Sequence, residues 1–219
     1  MNLYSEKEQS YYTSIRHELI NIMPNKQGLK VLEIGAGGGD TLAELKKRKI
    51  ADYVAGVELF RLLGTNQDNP LIDKMIIADI EKDDIDLPLN YFDVVLCADV
   101  LEHLYDPWNV VEKVSHYLAT GGMLIVSVPN FSYLQVFKNL FIRKNFQYTE
   151  RGTFDKTHIR FFCKNNIANL VTAPGLSQQK VIAKINLVPC NSRLINRLTL
   201  GIFESLLTPQ YVGISIKTI

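Results

Sequence analysis

Short apolar runs punctuate the first 130 residues, and between them apolar positions recur at helical spacing. Runs of strand length lie at 31–34, 53–58 and 75–80, at the start of 92–103, and after the turn that opens 121–130. Such runs predict strands buried inside a sheet. Residues 41–48 predict the helix that follows the first run. Residues 107–119 carry Val110, Val111, Val114, Tyr117 and Leu118 on one side, the face of a crossover helix. Pro107 falls in its first turn, where a missing N–H is harmless. Upstream, Ile15, Leu19, Ile20 and Met23 give residues 11–23 a helical period that stops at Pro24. Strands alternating with helices predict an α/β domain, a doubly wound and mostly parallel sheet covered on both faces.

The alternation breaks after Asn130. Residues 131–162 are too long for a simple connection and hold Phe131, Tyr133, Phe137, Phe141, Phe146 and Tyr148 among Lys138, Arg143, Lys144 and Arg151. They predict a helical insertion after strand five that acts as a lid or shapes an acceptor pocket. Phe137 and Phe141, one helical turn apart, serve either a small core or a bound ligand. A helix is then expected over 164–174 with Gly175 as its stop, a strand over 180–187, a helical segment over 192–207 and a last strand over 211–217. The whole of 1–219 is predicted to form one domain, with 1–24 as a helical N-terminal cover and 131–162 as the insertion.

Composition narrows the partners. A chain of 219 residues, 47% of them hydrophobic, can bury a sizeable core. A formal net charge of +1 gives no global signal for nucleic acid. No uninterrupted apolar run reaches the length of a membrane span, and the polar start lacks the apolar core of a signal peptide. Cys97, Cys163 and Cys190 are an odd, scattered set with neither a disulfide framework nor a zinc spacing. The expected location is the cytoplasm, without stable membrane insertion.

Chemistry concentrates where the predicted strands end. The first run closes on Gly35-Ala36-Gly37-Gly38-Gly39-Asp40. A dinucleotide fingerprint needs a glycine five residues after its first, and Asp40 stands there instead. Glu33 sits inside the strand, where a carboxylate suits a ligand with a positive centre and repels a pyrophosphate. This turn, with Glu58 ending the second strand, Asp79 ending the third, Ala98 and Asp99 after the fourth and the turn–strand at 121–130, resembles the class I S-adenosylmethionine-dependent methyltransferases. The resemblance implies a Rossmann-like sheet of seven strands, the last antiparallel between strands five and six. It implies S-adenosyl-L-methionine as cofactor, bound at Glu33, Gly35, Ala36, Gly37 and Gly39. Glu58, followed by Leu59, would hold the ribose hydroxyls. Asp79 would lie beside the adenine amino group, Ile80 against the ring, and Ala98 and Asp99 beside the methionine portion. Arg16 in the N-terminal cover would meet the cofactor's carboxylate or solvent.

Two clusters lie on the acceptor side. Asp99, Glu102 and His103 make contacts to the cofactor or loop; alternatively, by likeness to ubiquinone-biosynthesis O-methyltransferases, they form an acid–x–x–acid–His run that can hold a divalent metal. No metal is assigned to this run. Residues 152–162 resemble the Asp-x-Thr-His-x-Arg-Phe-Phe segment of a methyltransferase subgroup associated with bacterial surface-glycan genes. His158 is then a general base oriented by Asp155, with His103 as its rival and Arg160 available to an acidic acceptor. The segment reads equally as a structural strap. The expected activity is methyl transfer to an oxygen of a small-molecule or glycan-like acceptor. A non-catalytic, cofactor-binding regulator or scaffold is the alternative. An NAD-dependent oxidoreductase fits worse, lacking the glycine spacing and any Tyr-x-x-x-Lys pair. Oligomeric state is not legible.

Overall fold

The computed structural model describes residues 12–184 and 190–218. Seven strands form one sheet: β1 (Leu29–Ile34), β2 (Ala51–Glu58), β3 (Lys74–Ile77), β4 (Phe92–Ala98), β5 (Leu118–Pro129), β6 (Leu176–Ala183) and β7 (Gln210–Lys217). Their order is β3-β2-β1-β4-β5-β7-β6. β1 to β5 run parallel, whereas β7 is antiparallel to both β5 and β6, as the resemblance implied.

Strand periodicity explains why both faces are covered. On β1, Leu32 and Ile34 join a core layer with Phe92, Val110, Leu118 and Tyr211. Leu29 and Val31 face the opposite layer, with Leu19, Leu42, Leu45 and Ile125. Helix α1 (His17–Ile20) and helix α2 (Asp40–Lys47) cover the second layer, and α3 (Pro107–Ser115) covers the first. Asp106 caps α3 by accepting from Asn109 N at 3.1 Å, with Pro107 in the first turn as expected.

Several boundaries differ from the sequence reading. The helix expected over 11–23 is interrupted: Tyr12 is helical, residues 13–16 leave helical geometry and run over the glycine turn, and α1 follows; residue 11 lies outside the described ones. α3 ends at Ser115, and β5 begins at Leu118. The strand expected at 180–187 is β6, which starts earlier; residues 185–187 lie outside the described ones. After β5, α4 (Leu134–Phe137) runs into a π-helical turn (Lys138–Ile142), and every residue from 141 to 152 is exposed. α5 (Lys164–Leu170) precedes β6, with Gly175 left-handed at φ +79° between them. The last helical segment is two helices, α6 (Cys190–Leu198) and α7 (Glu204–Leu207). Leu200 at φ +51° and Gly201 at φ +82° break it, since left-handed residues end an α-helix. Among the described residues no helix is long and apolar enough to cross a membrane.

Candidate active site

Strand order reverses between β1 and β4, and a cleft of about 530 Å³ opens at their C-terminal ends. Open α/β sheets bind ligands at that place because the diverging loops leave a crevice. The glycine turn forms its floor. Gly35 and Ala36 donate to Val57 O at 2.9 and 3.2 Å, tying the turn to β2. Gly37 is left-handed at φ +53°, and a Cβ there would lie 2.6 Å from Tyr12 O. That carbonyl accepts from Gly38 N at 2.9 Å, so residues 12–16 pass over the turn as a strap. Gly39 does not line the cleft; at φ +83° it opens α2, and a Cβ would strike Ile72 Cδ1 at 2.7 Å. Asp40, the first residue of α2, accepts from Asn66 Nδ2 at 2.9 Å instead of capping the helix.

The cleft is rich in carboxylates. Glu33 is 3% exposed, and its Oε2 has no hydrogen-bond partner among the described residues. Burial pushes its pKa up to about 8, against the pull of Arg16. Glu58 is buried too; its Oε2 accepts from Gly37 N at 2.7 Å and its Oε1 from Leu59 N at 2.8 Å. Burial still raises its pKa, although these N–H groups and that of Phe60 counter the rise. Burial also pushes the Tyr12 phenol up to about 12, with Glu58 and Asp155 adding to it. Partial burial opposes ionisation of Asp79, but the Lys82 ammonium, 2.6 Å from Oδ2, holds its pKa below the ordinary value. Leu59, Ile80 and Ala98 also line the wall, with Ile80 buried against the core.

Arg16 enters from the strap. Its Nη1 lies 2.9 Å from Asp99 Oδ2, and its backbone N donates to Thr41 Oγ1 at 3.2 Å. Burial disfavours its charge, but Asp99 and then Glu33 keep it protonated. Asp99 is left-handed at φ +54° and accepts from Ser127 Oγ at 3.1 Å and from Gln210 Nε2. Such backbone strain persists only where surrounding contacts hold it.

The opposite wall joins the loop after β4 to residues 153–160. Ile159 N and Arg160 N both donate to Glu102 O at 3.0 Å, fastening this segment to the loop after β4. The same contacts bring His158 into the cleft. Its ring stacks edge-on against His103, centroids 4.7 Å apart, and its Nε2 faces Glu102 Oε1 at 3.8 Å. His103 Nδ1 lies 3.1 Å from Thr157 O, and His158 Nδ1 lies 3.4 Å from Thr153 O. Glu102 is 1% exposed, with neither carboxylate oxygen hydrogen-bonded among the described residues. Burial and then Asp99 raise its pKa well above the carboxylate range. Glu102, His103 and His158 offer three ligand atoms within 4.8 Å of one another, a set able to hold a metal ion.

Asp155 and His158 line the same cleft. Asp155 Oδ1 accepts from Thr157 N and Oγ1 at 2.9 and 2.7 Å, and Glu102 Oε1 stands 3.8 Å from His158 Nε2 as a second carboxylate near that ring. Arg160 lies outside the main cleft, donating to Tyr105 O from Nε at 3.0 Å beside the Trp108 ring. Sequence reasoning missed Gln67, which donates to Gly37 O and Phe60 O at 2.8 and 3.0 Å. It also missed Gln210, since only the insertion of β7 beside β5 brings that residue to Asp99.

Comparison with known proteins gives the cleft its context. The model of a family described as a methyltransferase domain matches residues 4–181. The ubiquinone biosynthesis O-methyltransferase of Psychrobacter arcticus is 30% identical over 192 residues, spanning 83% of this chain and 72% of that protein. Its counterpart in Neisseria meningitidis serogroup C is 28% identical over 174 residues, 74% of this chain and 69% of that one. A crystal structure of an S-adenosylmethionine-dependent methyltransferase from Archaeoglobus fulgidus superposes with a TM-score of 0.64 at 19% identity, covering 96% and 95% of the two chains, which is agreement in fold. The chain belongs to the class I S-adenosylmethionine-dependent methyltransferases.

Proposed function

We propose that this methyltransferase acts on an oxygen of a hydroxylated acceptor, and that His158 takes the acceptor's proton. The observation that carries the reading is the convergence of His158, His103 and Glu102 on the wall facing Glu33 and the glycine turn. The names of the similar bacterial proteins, both O-methyltransferases, favour oxygen as the atom modified. The likeness of residues 152–162 to the surface-glycan subgroup favours a sugar-like hydroxyl.

The cofactor fits the residues present. Its cationic ammonium and sulfonium suit a cleft with a buried Glu33 oxygen that has no hydrogen-bond partner among the described residues. Glu58 has both carboxylate oxygens turned to the turn and cleft, where the remaining lone pairs accept a ribose diol. Asp79 and Ile80 would frame the adenine, Ala98 and Asp99 the methionine portion, and Arg16, now paired with Asp99, would meet the cofactor carboxylate. S-Adenosylmethionine supplies, when bound, an electrophilic methyl on sulfonium sulfur. The protein aligns the acceptor and handles its proton. With Nδ1 turned to Thr153 O, His158 presents Nε2 as the basic atom. Glu102 faces that nitrogen at 3.8 Å; burial favours its neutral form, so it would offset the imidazolium charge only on giving up its own proton. Asp155 holds the segment through Thr157.

His158→Ala should lower turnover of a hydroxyl-acceptor panel by roughly 10²–10⁴-fold, measured with methyl-labelled cofactor, and leave S-adenosylhomocysteine affinity within about threefold. Normal turnover in a less stable variant would mean that the segment is only a strap. A second reading rests on the 4.8 Å cluster: Glu102, His103 and His158 hold a divalent cation that lowers the acceptor's pKa. Inactivation by chelators, restored by added metal, would favour it. A folded protein that binds cofactor and turns over no acceptor would point to the regulatory alternative.

A further inference from the structure

Two excursions leave the sheet beside the cleft, one after β5 and one before β7. Pro129 and Gln210, paired in the sheet, mark where each begins and ends, and both line the cleft. Asn130 ties them together, its Nδ2 donating to Ser205 O and Thr208 O at 2.7 Å. They expose an unusual amount of apolar surface. Phe141 is 68% exposed, Ile142 67%, Leu198 73%, Leu200 91% and Ile202 79%.

Their charge is also biased. Residues 131–153 and 190–209 contain Lys138, Arg143, Lys144, Arg151, Arg193 and Arg197 against two acids, Glu150 and Glu204, which pair with Lys156 at 3.2 Å and Lys164 at 2.7 Å. The chain as a whole is close to neutral, with 24 basic residues. On α6, Arg193 and Arg197 lie one turn apart beside Leu194 and Leu198, also one turn apart, and all four are exposed. The helix thus presents a basic stripe and an apolar stripe together to solvent.

We propose that these two excursions form a docking surface for an anionic lipid membrane. Apolar side chains that enter the headgroup region, flanked by cations that meet lipid phosphates, describe an interfacial amphipathic element. A nucleic acid would satisfy the cations but leave the leucine and phenylalanine surface in water. The cleft mouth opens beside the docked surface, since the first excursion returns through Arg151–Thr153, which line the cleft. An amphiphilic acceptor would reach the cleft from the bilayer; that last clause rests on the methyl-transfer reading, whereas docking does not.

The test is flotation of the full chain with vesicles of phosphatidylcholine alone, or of phosphatidylcholine with about a third phosphatidylglycerol, in low and high salt. Binding should require the anionic lipid and weaken with salt. Each cation near the surface is worth about fivefold in partitioning, so R143E with K144E should cut binding at least about twentyfold. L198S with I202S, on the second excursion, should weaken it independently. Circular dichroism and S-adenosylhomocysteine affinity, read in every variant, keep misfolding separate from loss of docking. No flotation with anionic vesicles at low salt, or flotation unchanged in both double variants, overturns the proposal. So does a dimer in sedimentation that the same variants dissolve, for then the surface meets a second copy. None of these readouts depends on turnover.

Discussion

Glu33 is the residue whose physics most constrains this cleft. A carboxyl with pKa about 8 in the fold and an ordinary value of 4.5 binds its proton more tightly when folded. Its contribution to stability is therefore fully present below pH 4.5 and is lost as pH rises towards 8. Glu33→Gln should stabilise the cofactor-free protein by on the order of 3 kcal/mol at pH 7 to 8 and by nothing at pH 4, read by urea denaturation. The same change should weaken binding of S-adenosylhomocysteine, whose ammonium favours the ionised acid. Binding near pH 7 should then release up to about one proton, seen by calorimetry in buffers of different ionisation enthalpy, and the variant should release none. Equal proton release by both proteins would remove Glu33 from the cofactor's cationic end. The residue is thus a site where function is held at a cost in stability.

At the scale of elements, the glycine turn and the strap over it behave as one unit. Tyr12 O receives Gly38 N, Arg16 N reaches Thr41, and the Arg16 guanidinium meets Asp99. Gly37 lets the two segments approach, because its positive φ and the 2.6 Å position of Tyr12 O leave no place for a Cβ. Backbone on both sides cannot yield as a flexible side chain would. Gly37→Ala should destabilise the protein by roughly 1–3 kcal/mol, lift the strap and raise the S-adenosylhomocysteine dissociation constant by about tenfold or more. Limited proteolysis near residues 12–16 reads the lifting, and calorimetry reads the affinity. Unchanged proteolysis with unchanged affinity would show that the strap does not rest on this contact. Apolar spacing suggested one continuous helix here, but the strap's backbone bonds to the glycine turn and Thr41 compete with helical ones and interrupt it at residues 13–16.

At the scale of the molecule, the two excursions are held by Asn130. It is fully buried, accepts from Ser132 N at 3.0 Å and donates to two carbonyls 75 and 78 residues away. Asn130→Ala would leave those carbonyls without a donor in a site that water barely reaches. The expected loss is roughly 2–4 kcal/mol of stability, with faster amide exchange both after β5 and before β7. Acceleration confined to one excursion would mean that the other is anchored elsewhere, for instance through the Lys164–Glu204 ion pair at 2.7 Å.

The sequence by itself determined the parallel half of the sheet and the carboxylates that stand at its strand ends in the cleft. Those features are local: a buried strand writes itself as a short apolar run, and Glu33, Glu58 and Asp79 stand at or next to the ends of such runs. Glycine spacing on one turn likewise separates this site from a dinucleotide site without any long-range contact. Tertiary structure decided what depends on residues distant in sequence. The insertion of β7 between β5 and β6 sets Gln210 against Asp99, 111 residues away. The backbone contacts of residues 159 and 160 with Glu102 O bring His158 beside Glu102 and His103, more than 50 residues back. Neither pairing leaves a trace in local periodicity, because side-chain partners across a sheet edge are chosen by topology and burial, which no short window of sequence records.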